Sequence, residues 1–119
     1  MTRFLLAFAF LVATPAFAAA YERVTEQAAF LNIIGTKSLS NRLYGVTLQV
    51  TPNGQIAGNA LGWDITGNWT WENGFFCRDM TWGGDSVGYN CQLVEVRNGN
   101  ELRFTSDQGA GDNASFKLR

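Results

Sequence analysis

Three Asn-Gly dipeptides punctuate this chain of 119 residues: Asn53-Gly54, Asn73-Gly74 and Asn98-Gly99. Asn and Gly tolerate the positive φ that a tight hairpin turn demands, so each dipeptide is a strong reversal signal. The segments between them alternate. VTLQV at 46–50 places Val46, Leu48 and Val50 on one face, with Thr47 and Gln49 on the other. Thr51-Pro52-Asn53-Gly54 reads as a turn, because proline presets one angle and glycine takes a left-handed one. GQIAGNALGW reads as the return strand, with its glycines marking a bend or bulge. In DITGNWTW, Ile65, Gly67, Trp69 and Trp71 share a face with Trp63. FFCRDMTW leaves the second turn, and Gly83-Gly84-Asp85-Ser86 reads as a loop. YNCQLVEVR, ELRFTSD and ASFKLR supply the remaining strands.

No strand–helix–strand spacing interrupts this series. A meander of about 80 residues cannot stay an open sheet without exposed edges, and closure removes them. The expected fold is therefore mainly β: a small antiparallel meander barrel of seven or eight strands with one short N-terminal helix. That helix is expected over about 25–34. Val24, Ala28, Ala29, Leu31, Ile33 and Ile34 form its stripe, Thr25 its N-cap and Gly35 its C-cap. Its apolar side would cover one end of the barrel.

The chain begins MTRFLLAFAFLVATPAFAAA. Arg3, the apolar run to Val12 and Ala16-Phe17-Ala18 have the form of a secretory signal peptide, and the run is too short for the ~20 residues of a membrane-spanning helix. Residues 1–18 are expected to be removed, with a cut after Ala20 as the alternative. Residues 19–119 would form a single domain, periplasmic or secreted. Nine Lys and Arg become eight once Arg3 is removed, against ten Asp and Glu. That balance lacks the positive field that nucleic acid or anionic membranes select. No second apolar run could span a membrane. Histidine is absent, which removes Ser-His-Asp and Cys-His nucleophiles and His-based metal sites. No metal or cofactor is expected.

Cys77 and Cys91 are the two cysteines. In an oxidising compartment paired cysteines persist as disulfides. Neighbouring antiparallel strands, joined by a loop of about ten residues, can bring the two within disulfide reach. A redox pair would need a Cys-x-x-Cys-type environment, and a metal site would need further ligands. A structural disulfide is the favoured reading.

The segments FLNIIG, LYGVTLQVTPNGQIAG, TGNWTWENGFFCRDM, YNCQLVEV and RFTSDQGAGDNASFKLR together resemble a group of small exported alphaproteobacterial proteins. The resemblance covers almost the whole chain after residue 18, and it implies a lipocalin-like β-barrel without an established activity. Proteins of this kind sometimes carry the name dihydrodipicolinate reductase. That enzyme's nucleotide loop and histidine segment have no counterpart here.

In such a barrel, Trp63, Trp69 and Trp71, with Tyr89, Phe104 and Phe116, either simply fill a solid interior, the favoured version, or line one that holds a small apolar ligand. A cavity of at least about 300 Å³ is expected of the ligand-holding version. Among the charges, Arg78 shares a face with Phe76, Met80 and Trp82, and Asp79 shares the other with Phe75 and Cys77. One of the two must approach an apolar surface. Asp79 with Asp85 or Glu95 could serve a carboxylate hydrolase if held about 5–9 Å apart. Trp82-Gly83-Gly84-Asp85 could be presented to an envelope protein. The Asp107–Asn113 stretch reads as a turn rather than a calcium loop, since it lacks EF-hand spacing. The leading expectation is a non-enzymatic binding module for a small ligand, envelope component or protein. The alternatives are an inhibitor or chaperone-like partner of an envelope enzyme, and the hydrolase. Candidate binding residues are Arg78, Asp79, Trp82, Asp85, Trp63, Trp69 and Trp71.

Overall fold

A computed structural model describes residues 19–119. The expected signal peptide and its cut after Ala18 lie outside the described residues. The described chain forms nine strands, one α-helix and a short 3-10 turn (Asp107–Gly109, between β8 and β9), in the order β1 (Glu22–Arg23), α1 (Gln27–Ile34), β2 (Leu39–Asn41), β3 (Val46–Val50), β4 (Gln55–Ala60), β5 (Trp63–Glu72), β6 (Phe75–Trp82), β7 (Asp85–Arg97), β8 (Glu101–Thr105) and β9 (Asn113–Leu118).

Strands β2 to β9 each pair antiparallel with the next, and β9 returns to β2 through Leu39 opposite Leu118. The result is a closed eight-stranded barrel with no free edge along most of its circumference. The short β1 adds a ninth strand beside Glu95 and Val96, where β7 runs past the end of β6. Two residues carry too little pattern for β1 to be seen in the sequence.

Tight turns make the hairpins. Asn73-Gly74 and Asn98-Gly99 take positive φ at both positions, as their sequences require. Gly54, at φ 88°, closes the β3–β4 turn and donates its N–H to Thr51 O at 3.1 Å. Two connections correct the sequence reading. Gly83-Gly84 is a two-residue turn rather than a loop, with Asp85 and Ser86 already in β7. A further turn splits GQIAGNALGW at Leu61-Gly62, where φ is 51° and 82°. Leucine is a poor residue for the left-handed region, which is why this reversal was hidden.

Gly58 and Gly67 lie where the backbone of the neighbouring strand approaches too closely for a Cβ. A Cβ at Gly58 would lie 2.1 Å from Thr47 O, and one at Gly67 would lie 2.3 Å from Asp79 O. Neither position has room for any side chain.

The helix begins later than expected. Glu26 is its N-cap and makes no side-chain cap bond, so Thr25 does not cap it. Gly35 does end it, donating its N–H to Leu31 O at 2.9 Å. The buried stripe is Phe30 and Ile34, four residues apart, while Ala28 and Ala29 face solvent. Phe30 is 0 % exposed. Its ring lies 5.1 to 6.4 Å from those of Trp69, Trp71, Phe76 and Phe104. Being larger than its neighbours on the helix, it plugs one end of the barrel. Connections alternate between ends in an up-and-down barrel, so all three Asn-Gly turns lie at this plugged end. The β2–β3, β4–β5, β6–β7 and β8–β9 connections lie at the other.

Outside the barrel, Tyr21 sits under two guanidinium groups, Arg97 at 4.4 Å and Arg103 at 4.0 Å from its ring centre. These cation–π contacts tie the segment before β1 to β7 and β8. No helix among the described residues is long and apolar enough to cross a membrane.

Candidate functional site

The barrel interior follows from the pairing register. Strand partners lie on the same face, so Trp69, Arg78 and Asn90 form one inward row. The next row towards the open end is Ile56, Gly67, Met80 and Gly88. The outward rows between and beside them are Gln55, Asn68, Asp79 and Tyr89, then Thr70, Cys77 and Cys91. Of the adjacent pair Arg78 and Asp79, the cation therefore goes inside and the anion stays exposed.

Between the helix plug and the open end lies a pocket of about 190 Å³. Leu39, Leu48, Val50, Ile56, Phe76, Met80, Phe104, Ala114 and Phe116 give it apolar walls; Arg78 and Gln92 are its polar lining. This volume falls short of the expected 300 Å³. It is still larger than a cavity of about 150 Å³ that admits a benzene ring. The interior is thus neither solid nor large.

The tryptophans do not line this pocket. Trp69 is buried, and its Nε1–H donates to Thr51 O at 2.9 Å. Trp71 stacks on Phe30 and donates to Thr25 O, also at 2.9 Å. Both belong to the plugged end. Trp63 shares their face but stands beyond the barrel wall, at the Leu61-Gly62 turn, and is 62 % exposed. Tyr89 is likewise outside, donating its hydroxyl to Glu72 Oε2 at 3.0 Å. Phe104 and Phe116 do line the interior.

Arg78 is 8 % exposed. Its Nη1 donates to Gly88 O at 2.7 Å. That carbonyl is positioned by a β-bulge: Met80 pairs with Gly88, but Thr81 pairs with Ser86, which leaves Val87 as the extra residue. Gly88, at φ 87°, takes the conformation that the bulge needs. Burial lowers the Arg78 pKa, and the neighbouring Asp79 charge only partly offsets it. The ion pairs among the described residues are Arg97–Glu101 and Arg103–Glu95; Arg78 is in neither.

Cys77 and Cys91 form a disulfide between directly opposed residues of β6 and β7, on the outer face. Glu72 also lies close to both sulfurs. A bonded pair of sulfurs offers no thiolate, so this cluster is not a metal site.

The candidate carboxylates are not brought together. Asp79 lines a shallow outer groove with Asn68 and Thr81, while Asp85 sits at the β6–β7 turn in a depression with Trp63, Trp82 and Gly83. Glu95 receives Arg103 through Nε at 3.0 Å and Nη2 at 3.1 Å. Asp107 is engaged with Asn90 in a reciprocal pair of hydrogen bonds of 2.8 and 2.9 Å, which fixes the β8–β9 connection.

At the open end, Leu43 (84 % exposed), Tyr44, Leu61 (66 %), Trp63 and Trp82 stand out from three successive turns. The turns are joined, since Leu61 N–H donates to Gly45 O at 3.1 Å and Trp82 Nε1–H to Ala60 O at 2.9 Å. Residues missed by sequence reading are thus Gln92 and Gly88 beside Arg78, and Leu43, Tyr44 and Leu61 at the rim. The alternation could have placed Gln92, which falls on the same face as Val94. The bulge that brings in Gly88 has no comparable signal.

No protein-family model, curated protein or solved structure matches the chain.

Proposed function

We propose that this chain is an exported, non-enzymatic barrel that takes a small ligand with an apolar body into its interior. The supporting observation is the pocket of about 190 Å³ between the helix plug and the open end. A packed core of this size would ordinarily close such a space, because voids cost stability. The disulfide is compatible with an oxidising compartment outside the cytoplasm. The volume selects a ring or a short chain rather than a drug-sized molecule. Millimolar 1-hexanol is a suitable neutral probe, read as a rise in melting temperature. It should stabilise the wild-type protein and fail to stabilise Ala114→Leu, which fills the pocket from β9. Absence of any rise with the wild type would discard this reading.

A second reading is favoured by the rim. Leu43, Tyr44, Leu61, Trp63 and Trp82 are exposed together at linked turns, and such a surface suits contact with an envelope protein. Here the barrel would be an inhibitor or chaperone-like partner, with Asp85 beside the contact. Envelope extract passed over the immobilised protein should yield one partner. That partner should be lost on Asp85→Arg; capture that survives the change rules out this use of the turn.

A further inference from the structure

The interior pocket is lined by a cation, Arg78, that forms no ion pair among the described residues. Arg78 has five N–H donors, and the one side-chain hydrogen bond it makes among the described residues uses Nη1. No buried side-chain nitrogen or oxygen among the described residues lacks a partner. The other guanidinium nitrogens therefore keep some accessible surface rather than being sealed among packed atoms. Among the described residues, no carboxylate lies within ion-pair distance of the group. Asp79 is adjacent in sequence, but the alternation of β6 sends it to the outer face. A buried cation without a counter-charge is costly, and arginine cannot relieve that cost by losing its proton in the working range of proteins.

Resting on the cavity reading above, we propose that the pocket is an anion-selective site whose ligand is a small monocarboxylate. Its carboxylate would receive the free donors of Arg78, and its apolar body would lie among Leu48, Ile56, Phe104 and Phe116. Three observations favour this chemistry. The guanidinium fork matches a carboxylate in two-bond geometry. Arg78 is the single cation among the described residues that line the pocket, which suits one negative charge better than a phosphate dianion. The remaining walls are apolar apart from Gln92, so the rest of the ligand is hydrocarbon. About 190 Å³ admits roughly eight to ten non-hydrogen atoms, the size of hexanoate or benzoate. The bulge at Val87–Gly88 contributes by aiming Gly88 O at Nη1, which holds one edge of the fork and leaves the other towards the pocket.

The test compares hexanoate with 1-hexanol by titration calorimetry at neutral pH. On the wild type, hexanoate should bind at least about 10-fold tighter than the alcohol, as a charge-assisted pair predicts. Arg78→Met should lose that advantage, so that hexanoate and 1-hexanol bind it with affinities within about threefold of each other. Equal binding of acid and alcohol by the wild type would overturn the carboxylate inference while leaving the cavity reading intact. Tight hexanoate binding that survives Arg78→Met would overturn it too, by placing the anion elsewhere. If neither probe binds, the cavity reading fails and takes this one with it. The wild-type comparison decides the matter even if Arg78→Met does not fold. A second measurement needs no variant: hexanoate binding should fade below about pH 4 as the ligand is protonated, and 1-hexanol binding should not.

Discussion

At the plugged end of the barrel, Phe30 is fully buried among four aromatic rings; at the open end, Leu43, Leu61 and Trp63 stand in solvent. Both ends are made by tight turns between antiparallel strands. The difference lies in what the turns carry. Asn-Gly pairs supply the plugged end with reversals suited to positive φ. The open end uses Leu61-Gly62 and Gly83-Gly84, and keeps large apolar residues beside them. One end is organised for stability. The other puts a leucine where asparagine would be less strained.

Mutations that exchange the properties of the two ends should break this contrast. The largest effect is expected of Phe30→Ala, which empties the plug. It should cost about 3–5 kcal/mol in urea unfolding. A loss below about 1 kcal/mol would mean that the helix does not seal the barrel. Next comes the disulfide. Cys77→Ser with Cys91→Ser closes no loop, and the entropic argument predicts a loss of about 3 kcal/mol. The unreduced and reduced wild-type proteins should differ by a similar amount.

At the open end the sign should reverse. Leu61→Asn relieves a left-handed leucine and is expected to stabilise by about 1 kcal/mol, seen as a higher urea midpoint. Loss of stability would show that Leu61 packs in solution more than its exposure indicates. Leu43→Ser should leave stability within about 0.5 kcal/mol, in keeping with its exposed position. The smallest effect concerns Tyr89. Its hydrogen bond to Glu72, with a smaller desolvation contribution, raises its pKa above the ordinary tyrosine value of 10.0. A raised folded-state pKa stabilises fully below the unfolded value, and the gain disappears as pH rises through the folded one. Stability above pH 10 should therefore fall slightly more in the wild type than in Tyr89→Phe. Absorbance titration should show Tyr89 ionising late.

Much of the frame was legible because single residues dictate it. Asn-Gly demands a reversal, the alternation in β3 and β5 sets inside and outside, and two cysteines in facing strands can meet. Closure was inferable from edges alone. Other features depend on contacts that a linear pattern does not record. The Leu61-Gly62 turn breaks the usual residue preference. The extra Val87 shifts the register after Met80, and no nearby residue announces it. Alternation placed Trp63, Trp69 and Trp71 on one face, but it could not say where along the axis the barrel ends. Hence Trp63 was expected inside and stands outside. The pocket was the least legible element, because volume is what remains after every neighbour has been placed.

Side-chain parity along β6 has a further consequence for the crosslink. A slip of one residue between β6 and β7 would turn every β6 side chain to the other face. Arg78 would leave the pocket and Asp79 would enter it. The Cys77–Cys91 bond excludes that slip, because it would put the two sulfurs on opposite faces of the sheet. Beyond holding two strands together, it determines the sign of the charge inside the barrel.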